Sequence, residues 1–390
     1  MRQHDVTVYG ATGFTGGLVA DYLAAKEGLS VDRWALAGRN LDKLRGVRAR
    51  LAKQNPALSE LAIYQAEASD PQSLADVAVR TRVLLTTVGP YEQHGPPVVA
   101  ACVEAGTDYV DLTGEPPFWR EMIAQHDSAA RERNVLLVPC CGFDSIPHDV
   151  GAWLVADALR EHAQKTGQPI TANGYVAAKG KPSGGTWNSL LGILSDTPLR
   201  PKSGGGGGGG GRSPGAHFAS DVARWVVPMP TIDPMVVRRS ATLAAYGDGF
   251  GYRAWFETKS RWHMVPLAAG MGALTLAAKI PPVRSLLGSL HPSGAGPSEA
   301  TRNESWFRVK VVANCGEATA TATVSGGDPG YTETAKMIAE SALCLATERE
   351  SLPLQGGLAT PAAAMGRHLV QRLRDAGLGI TVAVIPAPPA

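Results

Sequence analysis

The sequence predicts an α/β chain: a doubly wound parallel sheet with a second α+β domain built on a mainly antiparallel sheet. Three observations point that way. Short apolar runs alternate with helical patterns through roughly the first 150 of 390 residues, the rhythm of βαβ units. A glycine-rich loop separates the first run from the first helical pattern. Past residue 150 the runs alternate polar and apolar residues instead, as strands with one wet face do.

The strand candidates of the first part are Val6–Tyr9, Trp34–Ala37, Ala62–Tyr64, Val83–Val88, Tyr109–Leu112 and Val135–Val138. Helical stretches such as Asp42–Lys53, Pro96–Glu104 and Phe118–Arg133 lie between them. The unbroken apolar run "RVLLTTVG" suits a strand buried on both faces. A helix over about Ile146–Ala163 leads into the strand candidate "ITANGYVAAKG" and the helix candidate "SGGTWNSLLGILS". "NESWFRVKVVA" and "ATATATVSG", joined by "NCGE", read as a hairpin. Two helices, Glu333–Glu348 and Pro361–Ala376, and the strand "GITVAVI" close the chain.

Composition narrows the function. Net charge is +2 without a basic block, so nucleic acid is not expected as a partner. The five cysteines have no paired spacing and no leader pattern precedes the first strand, which points to a reduced cytoplasmic compartment. Neither CxxC nor HExxH occurs, so no metal site is expected. Residues 204 to 211 are eight glycines within a flexible linker at 203–215. Their span is roughly 16 Å, and they read as a low-complexity insert or an engineered loop replacement rather than a site. The apolar stretch Met264–Val283 is cut by Lys279 and two prolines. A buried helix is the plainer reading; peripheral membrane contact through 264–290 is the other.

The first loop carries the most chemistry. Gly10, Gly13 and Gly16 follow a strand and open a helix. This is a variant of the dinucleotide fingerprint: a tight turn, close approach to a pyrophosphate, and close helix–strand packing. It makes the first domain Rossmann-type. Gly10, Ala11, Thr12, Gly13, Phe14, Thr15 and Gly16 are the expected cofactor contacts, with the helix N-terminus aimed at the anion. The second strand ends "AGRN", with Arg39 and no carboxylate at that edge, which favours the 2′-phosphate of NADP(H). At the end of the fourth strand Val88, Gly89, Pro90 and Tyr91 join the cofactor set; Tyr91 is read either as a nicotinamide or substrate contact or as a half-buried aromatic. "DLTGE" and "CCGFDSIPHD" follow the next two strands on the same rim.

At these residues the chain resembles the saccharopine dehydrogenase family, through "GATGFTG", "AGRN", "TVGPY", "YVDLTGE", "CGFDSIPHDVG", "SGGT", "DPGY" and "TPAAAMG". Within it the chain is similar to the mycobacterial trans-acting enoyl reductase branch. The resemblance implies an NADP-binding Rossmann domain over 1–150, with 331–390 returning to it, and a substrate or dimerisation domain over 151–330. It implies NADPH-dependent reduction of a carbon–carbon double bond on a carrier-bound polyketide or lipid intermediate of the phthiocerol or phenolic glycolipid type. The partners implied are that acyl intermediate and its synthase; a homodimer is left open.

Such a reduction needs a proton donor and hydrogen-bond donors for an enolate-like oxygen. Tyr91, His148 and Lys179 are the catalytic candidates. Asp144, Ser145, Ser183, Gly184, Gly185, Thr186 and Tyr331 are the substrate candidates. Asp144 and Ser145 read equally as helix N-caps, and His148 as an exposed first-turn residue. Two other functions stay open: a dehydrogenase of an amino-acid-like substrate, for which Arg238 and Arg239 speak, and a non-catalytic NADP-binding protein at a lipid surface.

Overall fold

The computed structural model describes residues 2–180, 184–196, 215–258, 260–289 and 296–385. The chain begins with β1 (His4–Tyr9), α1 (Phe14–Ala24), β2 (Trp34–Gly38), α2 (Leu41–Ala52), β3 (Ala62–Gln65), α3 (Pro71–Ala78), β4 (Thr81–Thr86), α4 (Tyr91–Ala105), β5 (Asp108–Val110), α5 (Pro116–Glu132), β6 (Leu136–Val138) and α6 (Ile146–Thr166). It continues through β7 (Thr171–Lys179), α7 (Gly184–Asp196), β8 (His217–Ala219), β9 (Arg224–Pro228), α8 (Asp233–Leu243), β10 (Gly251–Thr258), α9 (Arg261–Ala278), α10 (Pro281–Ser289), α11 (Glu299–Asn303), β11 (Trp306–Cys315) and β12 (Ala318–Gly326). It closes with α12 (Thr332–Glu348), β13 (Gly357–Leu358), α13 (Pro361–Asp375) and β14 (Gly379–Ile385).

Two seven-stranded sheets result. The first runs β13-β6-β5-β4-β1-β2-β3, every pair parallel. Its interior strand β1 is buried along its whole length, because helices cover both faces. Local chemistry sets the helix starts. The Asn40 side chain accepts from Lys43 N–H at 2.9 Å to begin α2. Asp70 accepts from Gln72 and Ser73 N–H to begin α3, with Pro71 in the first turn.

The second sheet runs β14-β12-β11-β7-β10-β9-β8. All its pairs are antiparallel except β7 with β10. The β11–β12 hairpin turns at Gly316, whose φ of 58° suits a residue without Cβ. Both sheets agree with the expected α/β class and its mainly antiparallel second sheet.

Helix α6 lies on the second sheet and α12 on the first, and α13 packs against both helices. Helix α6 packs onto β11 and β12. Its approach depends on Gly151, where a Cβ would stand 2.6 Å from Val311 Cγ2. Helix α12 packs on α1, β1, β4 and β5. Its Glu340 is fully buried, pairs with Lys26 and with Arg372 at 3.1 Å, and accepts from the Tyr22 hydroxyl at 2.5 Å. An unpaired carboxylate there would cost several kcal/mol, on the order of 3 to 5.

The structure departs from expectation in three places. The last strand does not return to the first sheet with 331–376: β14 pairs with the open edge of β12, register Val324 to Ile380. Helix α6 starts before residue 150 yet covers the second sheet. The stretch from 264 onward is not a buried helix, for Leu276, Ile280 and Leu286 are 56%, 51% and 65% exposed. Ser183 and the glycine tract lie outside the described residues.

Candidate active site

The C-terminal ends of β1, β2, β4, β5 and β6 open into one cleft of about 510 Å³, where open α/β sheets bind ligands. Its floor is the first glycine loop. Gly10 has φ 95°, and a Cβ there would meet Thr87 Oγ1 at 2.7 Å. A Cβ on Gly16 would stand 2.2 Å from Gly10 O, so α1 is seated against the strand end. Gly13 differs: its Cβ would meet only Gly10 O, at 3.3 Å, and it lines the cleft as the N-cap of α1. No side chain caps α1, and its first turn carries no acid. An uncapped helix N-terminus above a glycine floor fits a pyrophosphate. Thr12, Phe14 and Thr15 line the cleft as expected. Ala11 does not: it is fully buried in the core behind the loop.

One end of the cleft is bounded by Gly38, Arg39, Glu67, Ala68 and Ser69. Arg39 is exposed there. This end lies at the edge of β2 where the adenosine ribose of a dinucleotide would rest.

The other end is built by the loops after β4, β5 and β6. Val88, Gly89, Pro90 and Tyr91 line it, and Gly89–Pro90 is a cis peptide. Tyr91 is buried; its hydroxyl donates to Thr86 O at 3.4 Å and accepts from Leu112 N–H at 3.2 Å. Burial raises its pKa well above the usual phenol range. Its ring stacks near Phe118, with centroids 6.0 Å apart. These contacts commit the Tyr91 hydroxyl to backbone partners. The carboxylate of Glu115 accepts from Tyr91 N–H at 3.0 Å and Glu92 N–H at 2.8 Å, capping α4 from a different loop. Asp111 accepts from Thr113 N–H, Cys140 N–H and the Tyr109 hydroxyl at 2.9, 3.0 and 2.7 Å, and burial pushes it up to about 6. Two of the motif's residues thus stitch three rim loops together.

Asp144 and Ser145 reach the cleft from the loop after β6. Ser145 occupies the N-cap of α6 but makes no capping hydrogen bond. Its Oγ is buried without a partner of ordinary geometry, although the Cys140 thiol lies beside it. Tyr331 closes the cleft from above, edge-on to Phe14 at 4.9 Å. Thr334 locks this corner, donating to Pro329 O at 2.7 Å and accepting from Phe143 N–H at 3.1 Å.

Other expected site residues are placed elsewhere. His148 is neither exposed nor in the cleft. It is 2% exposed, with Nδ1 2.5 Å from the Tyr252 hydroxyl. The ring fills a notch at Gly174, where a Cβ would lie 2.7 Å from Nδ1. Burial pushes its pKa down to about 3, and that of nearby Asp233 up to about 7, so below about pH 7 their 4.0 Å approach is between neutral groups. Lys179 stands at the exposed end of β7, 3.5 Å from Glu304 Oε2. Gly184, Gly185 and Thr186 begin α7, which packs on α9 and α10 and not on the cleft. Arg239 bonds Asp127 Oδ2 at 3.2 Å and Leu358 O at 2.9 Å, away from the cleft.

The structure adds one residue that the sequence reading passed over. His94, in the first turn of α4, lines the cleft half-buried. It is the only imidazole among the lining residues. Its place one turn after "TVGPY" was the available signal.

Comparison with known proteins agrees with this geometry. Residues 6–138 match the saccharopine dehydrogenase NADP binding domain. A trans-acting enoyl reductase of Mycobacterium tuberculosis is 35% identical over 415 residues, covering 97% of each chain. One from Mycobacterium leprae is 34% identical over 418 residues, again 97% of each. The fold follows that of saccharopine dehydrogenase (L-Glu forming) from Saccharomyces cerevisiae, at TM-score 0.57, 15% identity and coverage of 98% and 99% of the two chains.

Proposed function

Because the chain belongs to the saccharopine dehydrogenase family, in the branch of the trans-acting enoyl reductases, as an NADP-dependent oxidoreductase, we propose that it reduces a carbon–carbon double bond of a carrier-bound polyketide or lipid intermediate in the cytoplasm. One observation carries this choice of substrate. Among the described residues lining the cleft, Arg39 is the only lysine or arginine, and it stands at the ribose end. The reacting end offers Val88, Leu112, Phe143 and Tyr331 beside the acids Glu115 and Asp144. An amino-acid substrate with several carboxylates needs cationic partners there. A neutral acyl thioester does not, and the apolar side chains suit it. Phthiocerol or phenolic glycolipid precursors are the lipid class in this proposal, and the polyketide synthase that carries them is the partner.

NADPH supplies the hydride when bound. The protein's own residues do the rest. The uncapped start of α1 and Gly13 hold the pyrophosphate, and Arg39 pairs with the 2′-phosphate. Glu115 fixes the turn from Val88 to Tyr91 by binding two backbone N–H groups. The Ser145 hydroxyl, buried and without an ordinary partner, donates to the thioester oxygen as it gains charge. His94 delivers the proton to the α carbon, since it is the imidazole among the described residues lining the cleft and Tyr91 is committed elsewhere.

The test follows NADPH oxidation with an enoyl thioester and, in parallel, the oxidation of saccharopine with NADP. Turnover of the thioester alone is expected. Turnover of saccharopine alone overturns the proposal, and tight NADPH binding with neither turnover makes the chain a cofactor-binding protein without this activity.

A further inference from the structure

Helices α7, α9 and α10 form a small module of their own. Leu191, Leu194 and Ala278 are its buried centre, with Trp187, Met271, Leu274 and Leu287 packed around them. The Trp187 indole donates to Leu287 O at 2.9 Å, and Lys279 Nζ donates to Ser195 O at 2.9 Å. This cluster is separate from the cores under the two sheets. What faces outward is also apolar. Ala269, Gly272, Ala273, Leu276 and Ile280 are exposed and recur at helical spacing on one face. Leu286 of α10 extends the patch, and Trp262, 72% exposed, lies at the start of α9. Water-facing helices of globular proteins carry charge on that side; this one carries almost none.

Charge complements the apolar face. From residue 258 to 298 the sequence has no aspartate or glutamate, and among the described side chains there Lys279 and Arg284 are cationic. Arg284 is exposed beside the patch and donates to Ser195 Oγ at 3.0 Å. No described helix is long and apolar enough to cross a membrane. A helix of this kind lies in the plane of a lipid interface, its apolar face in the acyl boundary and its cations at the headgroups.

We infer that the α9–α10 face docks on the surface of an anionic bilayer. A protein partner fits less well, because the described exposed residues of the stripe are small or aliphatic, whereas protein hot spots favour aromatic and arginine anchors. The docking does not depend on the reaction proposed above, so the two fail separately.

The experiment sediments the full-length chain with vesicles of phosphatidylcholine, and of phosphatidylcholine mixed with phosphatidylglycerol, at low and high salt. Binding to the anionic vesicles should exceed binding to the neutral ones at least tenfold and weaken with salt. The double variant Leu276→Glu/Leu286→Glu should lose it, with NADPH affinity and melting temperature unchanged, since both side chains are more than half exposed. No binding to anionic vesicles overturns the inference. So does a double variant that sediments like the parent, or one whose main change, seen by light scattering, is from dimer to monomer; the latter would make the face a contact between copies. Loss of binding to an isolated carrier domain, with vesicle binding intact, would assign the face to that protein instead.

Discussion

The two ends of the cleft are built on opposite principles. The pyrophosphate end is made of backbone: three glycines within seven residues and a helix start without a cap. The reacting end is made of side chains brought from four separate segments, those of Tyr91, Glu115, Ser145 and Tyr331. A backbone site tolerates no added atoms but needs no long-range assembly. A side-chain site depends on buried hydrogen bonds, such as that from Cys140 N–H to Asp111, formed between loops 29 residues apart in the chain. Each end therefore fails in its own way under mutation.

The largest effect is expected at Gly16. A valine there puts Cβ against Gly10 O, which is backbone and cannot yield. Gly16→Val should cost about 3 kcal/mol or more, seen as a fall in melting temperature of many degrees. Gly13→Val, three residues earlier, should keep its melting temperature yet lose NADPH binding. Equal behaviour of the two variants would erase the distinction between a packing glycine and a ligand glycine.

Arg39→Asp comes next. It should weaken NADPH by on the order of 2 to 4 kcal/mol and leave NADH nearly untouched or improved. Dissociation constants for both cofactors at one salt concentration measure the ratio. An unchanged ratio would show that Arg39 does not meet the 2′-phosphate.

At the reacting end, His94→Gln should lower kcat about a hundredfold with the NADPH dissociation constant unaltered. Retained kcat would move the proton donor to another group.

The effect smallest at each step, because it accrues gradually with pH, concerns the buried cluster that took His148 out of the site. The carboxyl of Asp233 is raised by burial to about 7 when folded, above its unfolded value of about 3.9. Its stabilising contribution is therefore full below about pH 4 and is lost as pH rises toward 7. The neutral His148 works the other way, costing stability as pH falls below about 6.5. Asp233→Asn should flatten the first loss, gaining relative to the parent by about 1 kcal/mol per pH unit between about pH 4 and 7. Denaturant midpoints across that range read it directly, and parallel curves would mean Asp233 is ionised in the fold.

This contrast explains what could be read in the sequence. Gly10, Gly13, Gly16 and Arg39 were legible because their constraints act between neighbours along the chain. "DLTGE" was recognised as rim, but that Glu115 caps α4 was not, because the partner lies 23 and 24 residues away. His148 was misplaced because its burial depends on the notch at Gly174 and on Tyr252, both in the second sheet. The stretch that forms α9 was left between a buried helix and a peripheral membrane contact for a similar reason: apolar composition does not say which elements remain to cover it.

Helix α6 ties these ends to the rest of the protein. Its 21 residues make a rod of about 31 Å, seated on the second sheet but tipped by Ser145 in the cleft. Such a rod is a lever. If the second sheet tilts by about 5°, the tip swings through roughly 3 Å, the length of a hydrogen bond. A small rocking of the two sheets is thereby enough to engage or release the Ser145 hydroxyl while the glycine floor under the pyrophosphate stays still.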